Sequence, residues 1–164
     1  FTLIDAVKNI ANITLKIIGE GPIKEDLELK VRNEKITNVC FLGYKTGREL
    51  NEEVRKAMFV LCPSEWYENN PRCIVEGYAL GKPVIGARIG GIPELVRDNE
   101  TGLTFESGNS EDLHLKIQYL LNNRDNIIEM GKNARNHVTQ ELDAEKHYIK
   151  LLDIYQKTIE EYKR

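Results

Sequence analysis

Two carboxylates and a proline mark the segment of the sequence whose residues could do chemistry. Glu68 and Glu76 are separated by seven residues, and Pro71 lies between them. Proline favours the first helical position, where its missing N–H would have no partner, and Gly81 suits the position just past a helix end. The segment therefore predicts a loop carrying Glu68 and a helix over 71–81, with Glu76 roughly 7–8 Å along that helix.

The start of such a helix can bind an anion. Its unpaired amides and the positive end of its dipole favour a phosphate or diphosphate, and Arg72 can add a formal charge. Carboxylates on either side can accept hydrogen bonds from hydroxyl groups. The pattern predicts a site for a nucleotide diphosphate sugar, with the diphosphate at the helix start and one carboxylate each for ribose and sugar hydroxyls.

A simpler interpretation of the same residues stays open. Glu76 follows Arg72 by four positions, so the two side chains can pair on a solvated helix face, and Glu68 can be an ordinary surface residue. Spacing alone favours this simpler interpretation. Additional signals are needed before the two carboxylates indicate a ligand site.

The elements that must position these residues alternate along the chain. Apolar runs typical of buried strands are followed by helical patterns, which predicts βαβ units and a Rossmann-like α/β fold, a parallel sheet with helices on both faces. The predicted strands cover 15–19, 39–43, 59–63, 83–86 and, more weakly, 102–105. The predicted helices cover 22–34, 47–57, 71–81 and 92–97, followed by a helical tail from 110 with breaks near 123 and 141.

Glycines at two predicted strand ends support a ligand site at that edge of the sheet. Gly19 and Gly21 follow the first strand, and Gly90 and Gly91 follow the fourth. A residue without a side chain lets a backbone approach a ligand closely. Either pair alone is ordinary for a turn between a strand and a helix, so it is their shared location that indicates a site.

Composition narrows the class of protein. The 164 residues are enough for one domain, and a net charge of -3 makes nucleic acid an unexpected partner. The sequence has no apolar stretch near the roughly 20 residues that cross a bilayer and no signal segment, which predicts a cytoplasmic protein. Three cysteines without CxxC spacing predict buried free thiols rather than a disulfide or metal site.

The two ends of the chain carry further expectations. Residues 1–7 resemble the interior of an amphipathic helix with no cap before it, so we expect the chain to be a fragment. Residues 143–164 predict one amphipathic helix after a domain over 1–142. Acidic and basic residues, including Lys163 and Arg164, balance on its polar face, which favours packing against a protein over contact with a membrane surface.

These motifs, taken in order, resemble the carboxy-terminal domain of retaining family 4 glycosyltransferases, enzymes of the GT-B fold with two Rossmann-like domains around a cleft. The resemblance covers about residues 1–140. Its residues are Ile18-Gly19-x-Gly21-Pro22, Phe41-Leu42-Gly43, Pro63-Ser64 before Glu68-x7-Glu76, Gly81-Lys82-Pro83-Val84-Ile85, Gly90-Gly91-x-Pro93-Glu94-Leu95-Val96 and Thr101-Gly102-Leu103.

The resemblance implies a retaining sugar transfer from a UDP- or GDP-linked donor without a cofactor or metal. It makes Glu68 the catalytic position, where it orients hydroxyls of the transferred sugar, and Glu76 the ligand of the ribose. The diphosphate would meet the backbone that follows Glu68, and the base would lie near the end of the second strand. The implied donor-binding residues are Asn69, Asn70, Pro71, Arg72, Cys73, Gly19, Gly21, Gly43, Tyr44, Lys45, Gly90 and Gly91, in addition to Glu76.

The sequence departs from the family pattern in two places. Asn69-Asn70-Pro71 stands where an aromatic residue and a glycine are common after the first glutamate. The first strand, the basic pair for the diphosphate and the acceptor-binding domain would all precede Phe1, so a glycan or lipid-linked acceptor and any peripheral membrane contact would be met through that domain. We expect an unpaired sheet edge, and with it either self-association or a missing segment that covers the edge. A nucleotide-sugar epimerase of the same architecture and a non-catalytic nucleotide-binding module are the alternatives.

Overall fold

Short strands alternate with helices in the computed structural model, which describes residues 1–162. The strands are β1 (Leu15–Ile17), β2 (Val39–Phe41), β3 (Val60–Cys62), β4 (Val84–Ala87) and β5 (Gly102–Phe105). The helices are α1 (Thr2–Val7), α2 (Lys24–Asn33), α3 (Gly47–Lys56), α4 (Arg72–Ala79), α5 (Ile92–Leu95), α6 (Ser110–Asn122), α7 (Arg124–Gln140) and α8 (Ala144–Tyr162). The predicted α/β class is therefore confirmed.

All strand pairs are parallel, as predicted, and the strands form two sheets. β1 pairs with β2, whereas β4 lies between β3 and β5. Within residues 1–162, no ladder joins β1 to β3. This division agrees with the expectation that a strand before Phe1 is missing from the middle of the strand order. The expected unpaired edge is present at β1 and at β3.

β4 organises the core because all four of its residues are buried. Ile85 and Ala87 face a cluster formed with α1, α6 and β5, whereas Val84 faces α4 and α5 on the opposite side. A strand that is covered on both faces needs a continuous apolar run rather than an alternating one. Helices on both faces of the parallel sheet are thus confirmed.

Most boundaries lie within two residues of the predictions, and the breaks near 123 and 141 separate α6, α7 and α8. One boundary matters for the site. α4 begins at Arg72, and Pro71 is its N-cap with an extended backbone at φ -68° and ψ 115°. Pro71 was predicted one position further into the helix. Gly81 follows the end of α4 with φ +70°, as expected for the residue just past a helix.

The tail helix α8 has no buried residue. Its predicted apolar stripe, which includes Tyr148, Leu152 and Tyr155, is exposed. The predicted helix ended at 164, and residues 163–164 lie outside the described part of the chain. None of the helices within residues 1–162 combines the length and the apolar character that a bilayer span requires.

A buried hydrogen-bond chain fixes α4 against the segment that follows β4. The backbone N–H of Arg97 donates to Thr101 Oγ1 at 3.0 Å, and Thr101 Oγ1 lies 2.7 Å from the Tyr78 hydroxyl. The Tyr78 hydroxyl in turn donates to the carbonyl of Leu95 at 3.2 Å. Because each oxygen in this series of hydrogen bonds has a partner, Tyr78 can be completely buried without leaving a polar group unsatisfied.

We expect Tyr78→Phe to lower the free energy of unfolding by about 1–2 kcal/mol at pH 7, because Thr101 Oγ1 and the Leu95 carbonyl lose a buried partner. Burial raises the pKa of Tyr78 to about 12. A folded-state pKa above the unfolded value of about 10 means that this stabilisation is complete below pH 10 and is lost as the pH rises towards 12.

Urea unfolding of both proteins at a series of pH values measures this effect. The stability advantage of the native chain over Tyr78→Phe should fall between pH 10 and pH 12 by roughly 1.4 kcal/mol per pH unit, so that the variant becomes the more stable protein near pH 12. The variant lacks this titrating group and so controls for all other alkaline titrations. A difference that is independent of pH over this interval would contradict the assigned role of the Tyr78 hydroxyl.

Candidate functional site

The segment 63–71, which we call the carboxylate loop, connects β3 to α4 and carries Glu68. Contacts from three directions hold it. The Ser107 hydroxyl donates to the carbonyl of Ser64 at 3.1 Å, and the Thr2 hydroxyl donates to Glu65 Oε1 at 2.6 Å. The third contact comes from the turn after β4. The amino end of α1 and the end of β5 therefore both reach this loop.

Gly90 and Gly91 hold the carboxylate loop from the turn after β4. The backbone N–H of Gly91 donates to the Glu68 carbonyl at 2.7 Å. A Cβ atom at Gly90 would overlap the Glu68 carbonyl oxygen, and one at Gly91 would overlap the Asn69 carbonyl oxygen. The space that these glycines leave is thus occupied by the loop backbone. Their predicted contact with a ligand stays a prediction.

The start of α4 presents a set of unpaired amides. Within residues 1–162, the backbone N–H groups of Asn69, Asn70, Arg72 and Cys73 have no hydrogen-bond acceptor. Pro71, which lies between them, has no N–H to satisfy. Four unpaired donors at the amino end of an eight-residue helix form a positively polarised surface. The unpaired amides on which the prediction relies are therefore present, and the anion site itself stays a prediction.

The two carboxylates flank this surface with little restraint on their side chains. Glu68 Oε1 accepts a long hydrogen bond of 3.5 Å from the Ser64 hydroxyl. Glu76 Oε1 accepts one of 2.9 Å from Arg72, whose side chain is 89% exposed. The simpler pairing of Arg72 with Glu76 is thus present. An ion pair at such exposure contributes less than about 1 kcal/mol to the free energy of unfolding, so a ligand hydroxyl can displace Arg72 from Glu76.

The other predicted donor-binding residues form a second group. Gly19 and Gly43 lie at the ends of β1 and β2, and the Gly19 N–H donates to the Gly43 carbonyl at 2.9 Å. The aromatic side chain of Tyr44 is exposed, and Lys45 lies 3.8 Å from Glu49. Gly21 has no heavy atom within 4 Å of its Cβ position. No hydrogen bond within residues 1–162 joins this group to the carboxylate loop.

The three cysteines are free thiols, as predicted, although Cys40 and Cys73 are exposed and only Cys62 is buried. Cys40 is exposed because it occupies the outward position of β2. The Cys73 thiol donates to Cys62 Sγ at 3.7 Å, and Cys62 Sγ lies 3.9 Å from the Ser64 hydroxyl. This shared hydrogen bond lowers the pKa of Cys62 and raises the pKa of Cys73.

Several contacts at the site were not predicted from the sequence. Thr2 and Ser107 are distant in the chain, so no local pattern could indicate that they hold the loop. Trp66 and Tyr67 were within the segment but had no assigned role, and their side chains are 78% and 81% exposed. Their position immediately before Glu68 is visible in the sequence and could have marked both aromatic residues as candidate site residues.

An open cleft of about 790 Å³ lies elsewhere, between the turns that precede β3 and β4 and the side of α7. It is lined by Met58, Lys82, Ile128 and Arg135 among others. These residues lie near the amino ends of the strands, whereas the carboxylate loop lies at the carboxyl ends. The cleft is therefore distinct from the candidate site.

Residues 1–137 match the model of a protein family described as glycosyl transferases group 1. The chain belongs to this family. An uncharacterised glycosyltransferase of Methanocaldococcus jannaschii is 37% identical over 133 residues, which cover 81% of this chain and 37% of that protein. This group 1 glycosyltransferase chain therefore spans little more than a third of that relative's length.

Solved structures show the same fold. HepE of Anabaena in complex with UDP aligns with a TM-score of 0.86 and 23% identity over 95% of this chain and 44% of HepE. The carboxy-terminal domain of a group 1 glycosyltransferase of Francisella tularensis aligns with a TM-score of 0.77 and 25% identity over 87% of this chain and 78% of that domain. This group 1 glycosyltransferase chain thus shares the fold of a GT-B carboxy-terminal domain.

We expect Gly91→Ala to destabilise the carboxylate loop, because the added Cβ would overlap the Asn69 carbonyl oxygen. The two backbones must separate, which costs about 1–3 kcal/mol in free energy of unfolding. Urea unfolding measures the loss, and faster exchange of the amide at residue 91, which donates to the Glu68 carbonyl, locates it.

Gly21→Ala is the matched control, since no heavy atom lies within 4 Å of that Cβ position. Its free energy of unfolding should stay within about 0.5 kcal/mol of the native value. Equal stabilities for the two variants would show that Gly91 does not support the loop.

Proposed function

We propose that this chain is the donor-binding domain of a glycosyltransferase that transfers a sugar, with retention of anomeric configuration, from a nucleotide diphosphate sugar to an acceptor. The observation that carries the proposal is the set of four unpaired amides at the start of α4, with Glu68 on one side and Glu76 on the other. The complexes of HepE with UDP and with UDP-glucose support a UDP-linked donor, and a GDP-linked donor fits the same chemistry.

In this proposal the diphosphate lies against the amides of Asn69, Asn70, Arg72 and Cys73. These donors stabilise the negative charge that develops on the diphosphate as the bond to the sugar breaks, since they are already in position where the charge appears. The Arg72 guanidinium adds positive charge once its pair with Glu76 opens. The step as proposed uses no metal ion or other cofactor.

The two carboxylates bind hydroxyl groups and neither transfers a proton. Glu76, part-way along α4, accepts hydrogen bonds from the ribose, and Glu68, in the loop before the helix, accepts them from the transferred sugar. Gly43, Tyr44 and Lys45 at the end of β2 lie beside the base. Gly19 and Gly21 leave space for the donor at the end of β1, as Gly21 has no atom within 4 Å of its Cβ position.

The rest of the enzyme would be a second domain that binds a glycan or a lipid-linked acceptor, with membrane contact limited to that domain, in a cytoplasmic protein. The short span of the chain relative to its relatives supports this division. The separation of β1 from β3 supports a further strand before Phe1, because each has an unpaired edge within residues 1–162. Thr2 contacts Glu65, so basic groups on a segment before Phe1 would lie near the carboxylate loop.

We expect Glu76→Gln in the full-length enzyme to weaken donor binding by tenfold or more, since a charge-assisted hydrogen bond to ribose is lost. Glu68→Gln should lower kcat more than it changes donor affinity, because Glu68 contacts the transferred sugar.

Trp66 is the only tryptophan of the chain and lies two residues before Glu68, so its fluorescence can follow titration of the isolated chain with UDP-, GDP- and ADP-sugars.

Arg72→Ala is the control that separates the two interpretations of Glu76. If Glu76 only pairs with Arg72, the two substitutions should have equally small effects on stability and neither should change donor affinity. Under the proposal, Glu76→Gln weakens donor binding because a hydrogen bond to the ribose is weakened, whereas Arg72→Ala weakens it because positive charge beside the diphosphate is lost. Unchanged affinity and rate in both glutamate variants would reject the site.

A further inference from the structure

Two thiols from opposite ends of the carboxylate loop meet in the structure. Cys62 is the last residue of β3, and Cys73 is the second residue of α4. Their sulfur atoms are 3.7 Å apart. The segment between them, 63–72, contains Glu68 and three of the residues whose amides are unpaired. A bond between these sulfurs would therefore close a ring around most of the candidate site.

We propose that Cys62 and Cys73 form a reversible disulfide that constrains the carboxylate loop and lowers affinity for the donor. A disulfide requires sulfurs at roughly 2 Å, so the two side chains must approach by about half of their present separation. Neither thiol is engaged by another residue in a way that prevents this approach, because the contact of Cys62 with Ser64 is long, at 3.9 Å. Cys73 is exposed, which gives a small oxidant access to the pair.

The reaction is balanced with a peroxide as the oxidant. One thiolate attacks an oxygen of hydrogen peroxide, the O–O bond breaks, and a sulfenic acid and one water result after protonation. The second thiol then attacks the sulfur of the sulfenic acid, which forms the S–S bond and releases the second water. The two sulfurs together lose two electrons and the peroxide gains them. A dithiol reductant reverses the reaction by exchange.

The position of the pair explains why thiolate chemistry is favoured there. The Cys73 thiol donates the shared hydrogen bond, which stabilises a negative charge on Cys62, and Cys73, in the first turn of α4, is the thiol that then attacks the sulfenic acid. The thiolate is the form that reacts with peroxide. Cys40 has neither a thiol neighbour nor a helix start beside it within residues 1–162, so it serves as an internal reference.

Closing the bond would pull the first turn of α4 towards the end of β3. The amides of Arg72 and Cys73 would move with it, while Gly90 and Gly91 hold the backbone of Glu68 and Asn69 in place. Displacements near 1 Å at a binding site are enough to lose large parts of its interaction energy. The effect on the donor rests on the proposed function, whereas formation of the bond does not.

The test is peroxide treatment of the reduced chain, followed by mass spectrometry of the intact protein and of its peptides without reduction. We expect a loss of two hydrogen atoms and a crosslink between the peptides of Cys62 and Cys73. Cys40→Ser should behave like the native chain, and Cys73→Ser should give no crosslink. Because Cys73 is exposed, that variant should fold, which circular dichroism checks.

Donor affinity is measured by the fluorescence of Trp66 with UDP-glucose and GDP-mannose. The oxidised chain should bind at least tenfold more weakly than the reduced chain, and dithiothreitol should restore binding. Peroxide should not weaken donor binding by Cys62→Ala, which cannot form the bond. Absence of the crosslink, or its formation through Cys40, overturns the disulfide. A crosslink that leaves donor affinity unchanged overturns the proposal that the disulfide controls the site. If the reduced chain binds no nucleotide sugar, the proposed function fails, while mass spectrometry still decides whether the disulfide forms.

Discussion

The candidate site depends on one backbone contact, the hydrogen bond of 2.7 Å from the Gly91 N–H to the Glu68 carbonyl. It joins the loop after β3 to the turn after β4, which are adjacent because the two strands pair in parallel. Any side chain at Gly90 or Gly91 would overlap the loop backbone. The direction of the loop, and with it the orientation of the amides that follow Glu68, is set by this contact.

The rest of the core supports that contact from both faces of β4. On one face, α4 is fixed through the buried Tyr78 hydroxyl to the segment after α5, so the helix whose start offers the unpaired amides cannot shift independently of the turn at Gly91. On the other face, α1 and α6 pack against Ile85 and Ala87. The amino end of α1 then reaches Glu65 through Thr2. The packing of the core therefore determines the geometry of the candidate site.

The arrangement combines a rigid backbone with loosely held side chains. Amides, carbonyls and glycines are fixed by the sheet and by the loop contact, whereas Glu68 has only a long hydrogen bond and Glu76 only a solvated partner. Backbone donors that are already oriented lose little entropy when a ligand binds, and weakly held carboxylates can exchange their partners for ligand hydroxyls. The thiols of Cys62 and Cys73 lie where the rigid and the adaptable parts meet.

The order and type of the elements follow from local patterns in the sequence, since apolar runs and helix-terminating glycines are local signals. The position of Glu68 and Glu76 around a helix start follows from them as well, to within the one residue by which Pro71 was misplaced. Only the folded structure shows that Gly90 and Gly91 hold a loop and that Cys62 meets Cys73. These facts depend on contacts between segments far apart in the chain, and hydrophobic periodicity contains no information about which segments meet.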